Sequence, residues 1–130
     1  MPDYYFHYTS LVAAQMVVSS GQLLPGRGFI YLSDELYASG AKAAQLLGIP
    51  PSGPAVTTGL GVAQLTKAVD LVCCIPAGRL GPAYLQGPES ADDFRDHATL
   101  AVIYSGGGRQ YKYSRPISVV GLTWVAMVRP

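Results

Sequence analysis

Apolar and aromatic positions come in short runs separated by Gly- and Pro-rich breaks, and the period of each run suggests an element. Tyr4 to Tyr8 is aromatic apart from one histidine and reads as a short strand. Thr9 or Ser10 then caps a helix over Leu11 to Ser19, where Leu11, Ala14 and Val18 recur at helical spacing, and Gly21 ends it. Leu23-Leu24 is a short extended piece and Pro25-Gly26-Arg27-Gly28 a turn. Phe29 to Leu32 reads as a second strand. Ser33 or Asp34 caps a second helix that runs to about Leu47, and the run from Gly48 to Pro54, with three prolines, stops it.

Beyond that break the pattern changes. Val56 to Lys67 is ambiguous in its pattern: Thr58 to Val62 reads as loop, and Ala63 to Lys67 is compatible with a helical turn. Asp70 to Pro76 is apolar after its first residue, as expected of a buried strand. Ala77 to Gly87 is a Gly- and Pro-rich loop, and Ser90 to Asp96 a short acidic helix or turn. Leu100 to Tyr104 and Gln110 to Tyr113 are strands on either side of the flexible turn Ser105 to Gly108, and Val119 to Val128 closes the chain as a long strand. Helices early and strands late predict an α+β fold rather than alternating βαβ units. At 130 residues the chain has the length of one domain, residues 1–130.

Composition narrows the function classes. Charged residues are 13% of the chain, against roughly 25% in ordinary soluble domains, and the formal net charge is +1. Neither favours nucleic acid or an acidic membrane as partner. Cys73 and Cys74 lie together in an apolar run and read as buried free thiols. With only His7 and His97 besides, no zinc spacing exists. The start lacks a basic segment followed by an apolar one, and no run approaches a membrane span, so the expectation is a cytoplasmic protein or an effector delivered without an N-terminal signal. Nine tyrosines against three phenylalanines suit either half-exposed strand positions or a cleft that stacks on a planar ligand.

Three segments are candidates for chemistry. Phe6-His7-Tyr8-Thr9 places a histidine near a strand end, just before a helix cap. Phe29 to Asp34 places Tyr31 at a strand end, with Tyr37 and Ser39 following. Ser105 to Tyr113 joins a Gly-rich turn to a strand that begins Arg109-Gln110-Tyr111. Each alone is more often structural: a satisfied histidine, a rim tyrosine, a hairpin with a solvated edge. No helix follows the three glycines, so they do not make a phosphate loop. The carboxylates from Glu89 to Asp96 read as a solvated face or a helix start.

Taken in order, the three segments resemble the H-Y-E/D/Q branch of the ADP-ribosyltransferase superfamily, which includes diphtheria toxin and the poly(ADP-ribose) polymerases. Phe6-His7-Tyr8-Thr9, the helix after it and Ser20-Gly21-Gln22-Leu23-Leu24-Pro25 resemble small bacterial transferases of this kind. Phe29-Ile30-Tyr31-Leu32-Ser33-Asp34 with Ser39 resembles the tyrosine motif of the branch. Tyr111 to Gly121 is similar to the end of the rifampicin-modifying transferases.

The resemblance implies a split β-sandwich of two small sheets with two early helices, and NAD as substrate. His7 would bond the ribose hydroxyls of NAD. The Tyr8 backbone, beside Thr9 and helped by the Ser39 hydroxyl, would clamp the nicotinamide carboxamide. Tyr31 would stack on the ring with Tyr37 as a second wall, and Arg27 would meet the pyrophosphate. The family's late-strand carboxylate falls at Gln110, which orients a hydroxyl but brings no charge; Glu89 or Asp96 would be the acid if a loop reached in. The function implied is a mono-ADP-ribosyltransferase of toxin or effector type, acting on a protein, nucleic-acid or small-molecule acceptor and paired with an immunity protein. The alternatives are an NAD glycohydrolase, a non-catalytic NAD- or ADP-ribose-binding module, and a tyrosine-rich protein-interaction domain.

Overall fold

A computed structural model describes residues 2–26, 28–49, 55–58, 61–64, 69–95 and 98–127. Strand β1 (Tyr4–Thr9) leads into helix α1 (Leu11–Ser20), whose ends follow the sequence signals: the Ser10 hydroxyl accepts from the Ala13 N–H, and Gly21, at φ 79°, donates to the Val17 carbonyl. Then come β2 (Gln22–Leu23), β3 (Ile30–Leu32), α2 (Gly40–Leu47), β4 (Ala55–Thr58), β5 (Gly61–Gln64), β6 (Leu71–Pro76), two short 3₁₀ turns, β7 (Leu85–Ser90), β8 (Phe94–Arg95), β9 (Val102–Tyr104), β10 (Arg109–Tyr113), β11 (Ile117–Ser118) and β12 (Thr123–Ala126). The fold is mixed α+β, with two helices and several small antiparallel sheets among the described residues.

Two three-stranded sheets carry the architecture, in the orders β1-β6-β12 and β3-β10-β7. Alternation along β1 and β6 gives the first sheet two buried faces. Tyr5, Cys73 and Ile75 point toward the second sheet and pack with Ile30, Leu32, Tyr111, Tyr113 and Ile117. Tyr8 and Val72 point the other way, onto Ala43 of α2, Val69 and Tyr37. Central β6 is accordingly apolar throughout, with Val72, Cys73 and Ile75 fully buried. Among the described residues no helix is long and apolar enough to cross a membrane.

Five sequence expectations need correction. The second helix starts at Gly40 under a Ser39 cap, not at Ser33 or Asp34. The Ser33 hydroxyl is spent on the Arg109 carbonyl (2.9 Å), and the Asp34 carboxylate on Arg109 Nε (3.0 Å) and the Tyr111 hydroxyl (3.0 Å). The Tyr8 hydroxyl donates to the Glu35 carbonyl (2.6 Å) and accepts from the Tyr37 N–H (2.8 Å), which holds 35–37 out of helix. The stretch from Val56 is a hairpin: Ala63 and Gln64 extend in β5 instead of forming a helical turn, and residues 65–67 lie outside the described residues. The loop after β6 is shorter than expected, because β10 recruits Leu85 to Ser90 as β7. Ser90 to Arg95 forms no helix, Asp96 lying outside the described residues; Phe94–Arg95 pairs with β9, and the Phe94 and Tyr104 rings lie 6.2 Å apart. Finally, the chain does not close as one long strand, since Gly21 and Gly121 turns let β11 pair with β2 before β12 joins β6; Val128 lies outside the described residues.

Candidate functional site

The site begins where two strands part. On β1, Asp3 and Asp70 bonds flanking the β6 ladder fix its parity: Tyr4, Phe6 and Tyr8 turn their main-chain groups away from β6. Phe6 uses that edge to exchange two bonds with Ser33, at 2.7 and 2.9 Å. In continued antiparallel register Tyr8 would next face Tyr31. It does not, because the Phe6–Ser33 bridge stands alone. His7 Nδ1 instead lies 3.0 Å from the Tyr31 carbonyl. A carbonyl only accepts, so Nδ1 carries the proton and Nε2 of the neutral ring is an acceptor. Tyr8 is left with a main-chain N–H and C=O that pair with no other backbone group among the described residues.

A cleft of about 390 Å³ opens at this split, within the range of small-ligand sites. Alternation decides what enters it. On β3 and β10 the residues Ile30, Leu32, Tyr111 and Tyr113 are buried in the core, so Tyr31, Gln110 and Lys112 project from the other face and line the cleft together with His7 and Tyr8. Tyr31 is 50% exposed at the opening. The far wall is the end of α2, Leu47-Gly48-Ile49, with Asp92 and Asp93.

That wall is built by the Gly-rich turn singled out in the sequence. Gly106 and Gly108 donate to the Gln45 and Leu46 carbonyls (both 2.9 Å) and so cap the end of α2. A Cβ on Gly108 would lie 2.5 Å from the Tyr37 hydroxyl, and one on Gly48 would lie 2.2 Å from the Asp92 carbonyl oxygen. The turn therefore does not close a hairpin between β9 and β10. It anchors the helix that forms one side of the cleft.

Electrostatics at the cleft are local. Burial pulls the His7 imidazole below its ordinary pKa, partly offset by the bond to Tyr31, so the ring is neutral at pH 7. Outside the residues that line the cleft, the Glu89 carboxylate accepts from Gln110 Nε2 (3.2 Å) and pairs with Lys112 Nζ (3.1 Å). These hydrogen bonds hold the Glu89 carboxyl below the usual range. Lys112 Nζ also sits 5.6 Å from the Phe29 ring centroid.

Of the residues named from sequence, the fold gathers His7, Tyr8, Tyr31 and Gln110 into one cleft. It keeps others out. Tyr37 is 8% exposed and packs beside the Tyr8 ring (centroids 5.6 Å apart), so it forms no second wall. Ser39 is absent from the cleft lining because its hydroxyl accepts from the Lys42 N–H as the cap of α2. Thr9 does not line the cleft either, and its carbonyl accepts from Asp70. Arg27 and Asp96 lie outside the described residues. Lys112, Asp92, Asp93 and the end of α2 were missed. For Lys112 a signal existed: the alternation in Arg109 to Tyr113 already sets Gln110 and Lys112 on one face.

The chain matches no protein-family model, no curated protein and no solved structure. Its own geometry therefore has to carry the functional reading.

Proposed function

We propose that this cleft binds the nicotinamide end of NAD and that the protein is a mono-ADP-ribosyltransferase, built as the split sandwich that its sequence motifs resemble. The observation that carries the reading is the parting of β1 from β3. A carboxamide offers one carbonyl acceptor and an NH₂ donor, and the unpaired N–H and C=O of Tyr8 are its complement. Beside them stand a neutral histidine with Nε2 open to a ribose hydroxyl and the exposed Tyr31 ring for the pyridinium plane. Breaking the nicotinamide–ribose bond develops positive charge on the sugar, so a site for it needs fixed polar groups around the ribose. Gln110, whose Nε2 is held by Glu89, has a carbonyl oxygen with no partner among the described residues and is suited to a ribose hydroxyl. With water as acceptor the same cleft would be an NAD glycohydrolase.

The carboxamide clamp is tested by calorimetric titration with NAD and with its nicotinic-acid analogue, which lacks the NH₂ donor and carries a negative charge. Loss of a hydrogen bond to Tyr8 C=O should weaken the analogue by about 1–3 kcal/mol, on the order of 10-fold or more. Equal affinity for the two would contradict the clamp, and no binding of NAD would contradict the reading as a whole.

A further inference from the structure

We propose that Arg109, Asp34 and Glu35 form a clasp that fixes Gln110 relative to Tyr8, so that the three act on the ligand only as positioning residues. The inference rests on the reading of the cleft as an NAD site. None of the three lines the cleft. The groups that would meet NAD come from separate strands: the open N–H and C=O of Tyr8 from β1, and the Gln110 side chain from β10. Among the described residues, backbone hydrogen bonds join β1 to the second sheet at Phe6–Ser33 alone. A second tie is needed to hold the two strands in one geometry, and the segment from Ser33 to Tyr37 supplies it.

From the β1 side, the Tyr8 hydroxyl donates to the Glu35 carbonyl (2.6 Å) and accepts from the Tyr37 N–H (2.8 Å). From the β10 side Arg109, the residue before Gln110, takes both acids at once. Its Nε donates to the two carboxylate oxygens of Asp34 (3.0 and 3.2 Å), and its Nη2 pairs with Glu35 Oε1 at 2.8 Å. Its carbonyl accepts from the Ser33 hydroxyl (2.9 Å), which in turn accepts from the Glu35 N–H (3.2 Å). Asp34 has a second donor in the Tyr111 hydroxyl (3.0 Å), whose ring meets Tyr5 of β1 edge-on at 5.0 Å. Glu35 is thus held by Tyr8 at its main chain and by Arg109 at its side chain. Residues 33–37 lie in no helix and no named strand, so these bonds fix them. The planar fork of arginine holds two carboxylates in set directions, which a lysine ammonium does not. The Asp34 side chain is 13% exposed and that of Arg109 54%. Without Arg109 a largely buried carboxylate would keep only the Tyr111 hydroxyl among the described residues, and the segment would shift to rehydrate it.

The test is NAD affinity by calorimetric titration, with ligand-free melting measured alongside, for the full chain, Arg109→Gln, Glu35→Gln and the double variant. The two substitutions change the net charge in opposite directions, and NAD is an anion. Long-range charge alone would weaken binding in Arg109→Gln and tighten it in Glu35→Gln. The clasp predicts weaker binding in both, on the order of 10-fold in Arg109→Gln, with the double variant no worse than that. Adding Gln110→Ala to Arg109→Gln should then cost no more than about 2-fold, because a displaced Gln110 no longer meets the ribose. If Arg109→Gln does not fold, Glu35→Gln decides by its sign, since it keeps the main-chain bond to Tyr8. Glu35→Gln that binds NAD as tightly as wild type or tighter would overturn the clasp and leave the NAD reading standing. So would Arg109→Gln within about 2-fold of wild type, or a loss from Gln110→Ala that is undiminished in its background. Wild-type protein that does not bind NAD would overturn the NAD reading, and the clasp with it.

Discussion

At the scale of single residues, His7 and Tyr31 hold the site through one bond that fixes the tautomer of the ring. The folded-state pKa of His7 is lowered, so the unfolded chain takes up its proton first as pH falls. Stability tied to His7 is therefore complete above the unfolded value, about 6.5, and is lost as pH drops through that value toward the lower folded one. Protonation of the folded state also turns Nε2 from acceptor to donor, so NAD affinity should weaken only as pH falls through the lowered folded-state value. Melting curves and NAD titrations between pH 8 and 5 (roughly the histidine range) check both, and a His7→Gln variant should show a flatter dependence. For Tyr31, removing the ring in Tyr31→Ala should cost NAD binding about 1–3 kcal/mol, the worth of an aromatic stacking contact. Tyr31→Phe should bind nearly as wild type; equal losses in the two variants would mean that the hydroxyl, not the ring face, meets the ligand. Cys73, fully buried and pushed up to about 12 by that burial, should resist alkylation in the native state and react only as the chain unfolds, which peptide mass mapping reports.

At the scale of elements, legibility followed the range of the interactions. Helix α1 could be read to within a residue because its cap and its Gly21 terminus lie in its own sequence. The end of α2 could be read for the same reason. Its start could not, since Ser33 and Asp34 look like caps but bond β10, and Tyr8 ties down the backbone between them and the helix. Ser39 thus changes role, from a ligand contact implied by family resemblance to the residue that begins α2. Ser39→Ala should lower stability by about 1 kcal/mol and leave NAD affinity unchanged; a large loss of affinity at unchanged melting temperature would return Ser39 to the site. Gly48→Ala faces both a left-handed backbone (φ 60°) and the Asp92 carbonyl, and it should destabilise more strongly, by about 2–4 kcal/mol in denaturant titration.

At the scale of the whole molecule, the cleft exists because two small sheets share a core while, among the described residues, β1 makes a backbone bridge to the second sheet at Phe6–Ser33 alone. Places at strand ends, together with the family resemblance, made His7, Tyr31 and Gln110 readable as candidates. Their convergence depends on the register between strands far apart in sequence, and the bulge in β7 that sets Glu89 opposite Gln110 is announced by no local pattern. The wall from α2 was hidden in the same way, because the glycines that anchor it read locally as a flexible turn. The central claim is that this convergence cleaves NAD. It is tested most directly by incubating the pure protein with NAD and following nicotinamide by chromatography, beside His7→Ala and Gln110→Ala. Nicotinamide should be released by the wild type and fall to background in both variants. A wild type that neither releases nicotinamide nor gains thermal stability from NAD would contradict the account and leave the cleft without this ligand.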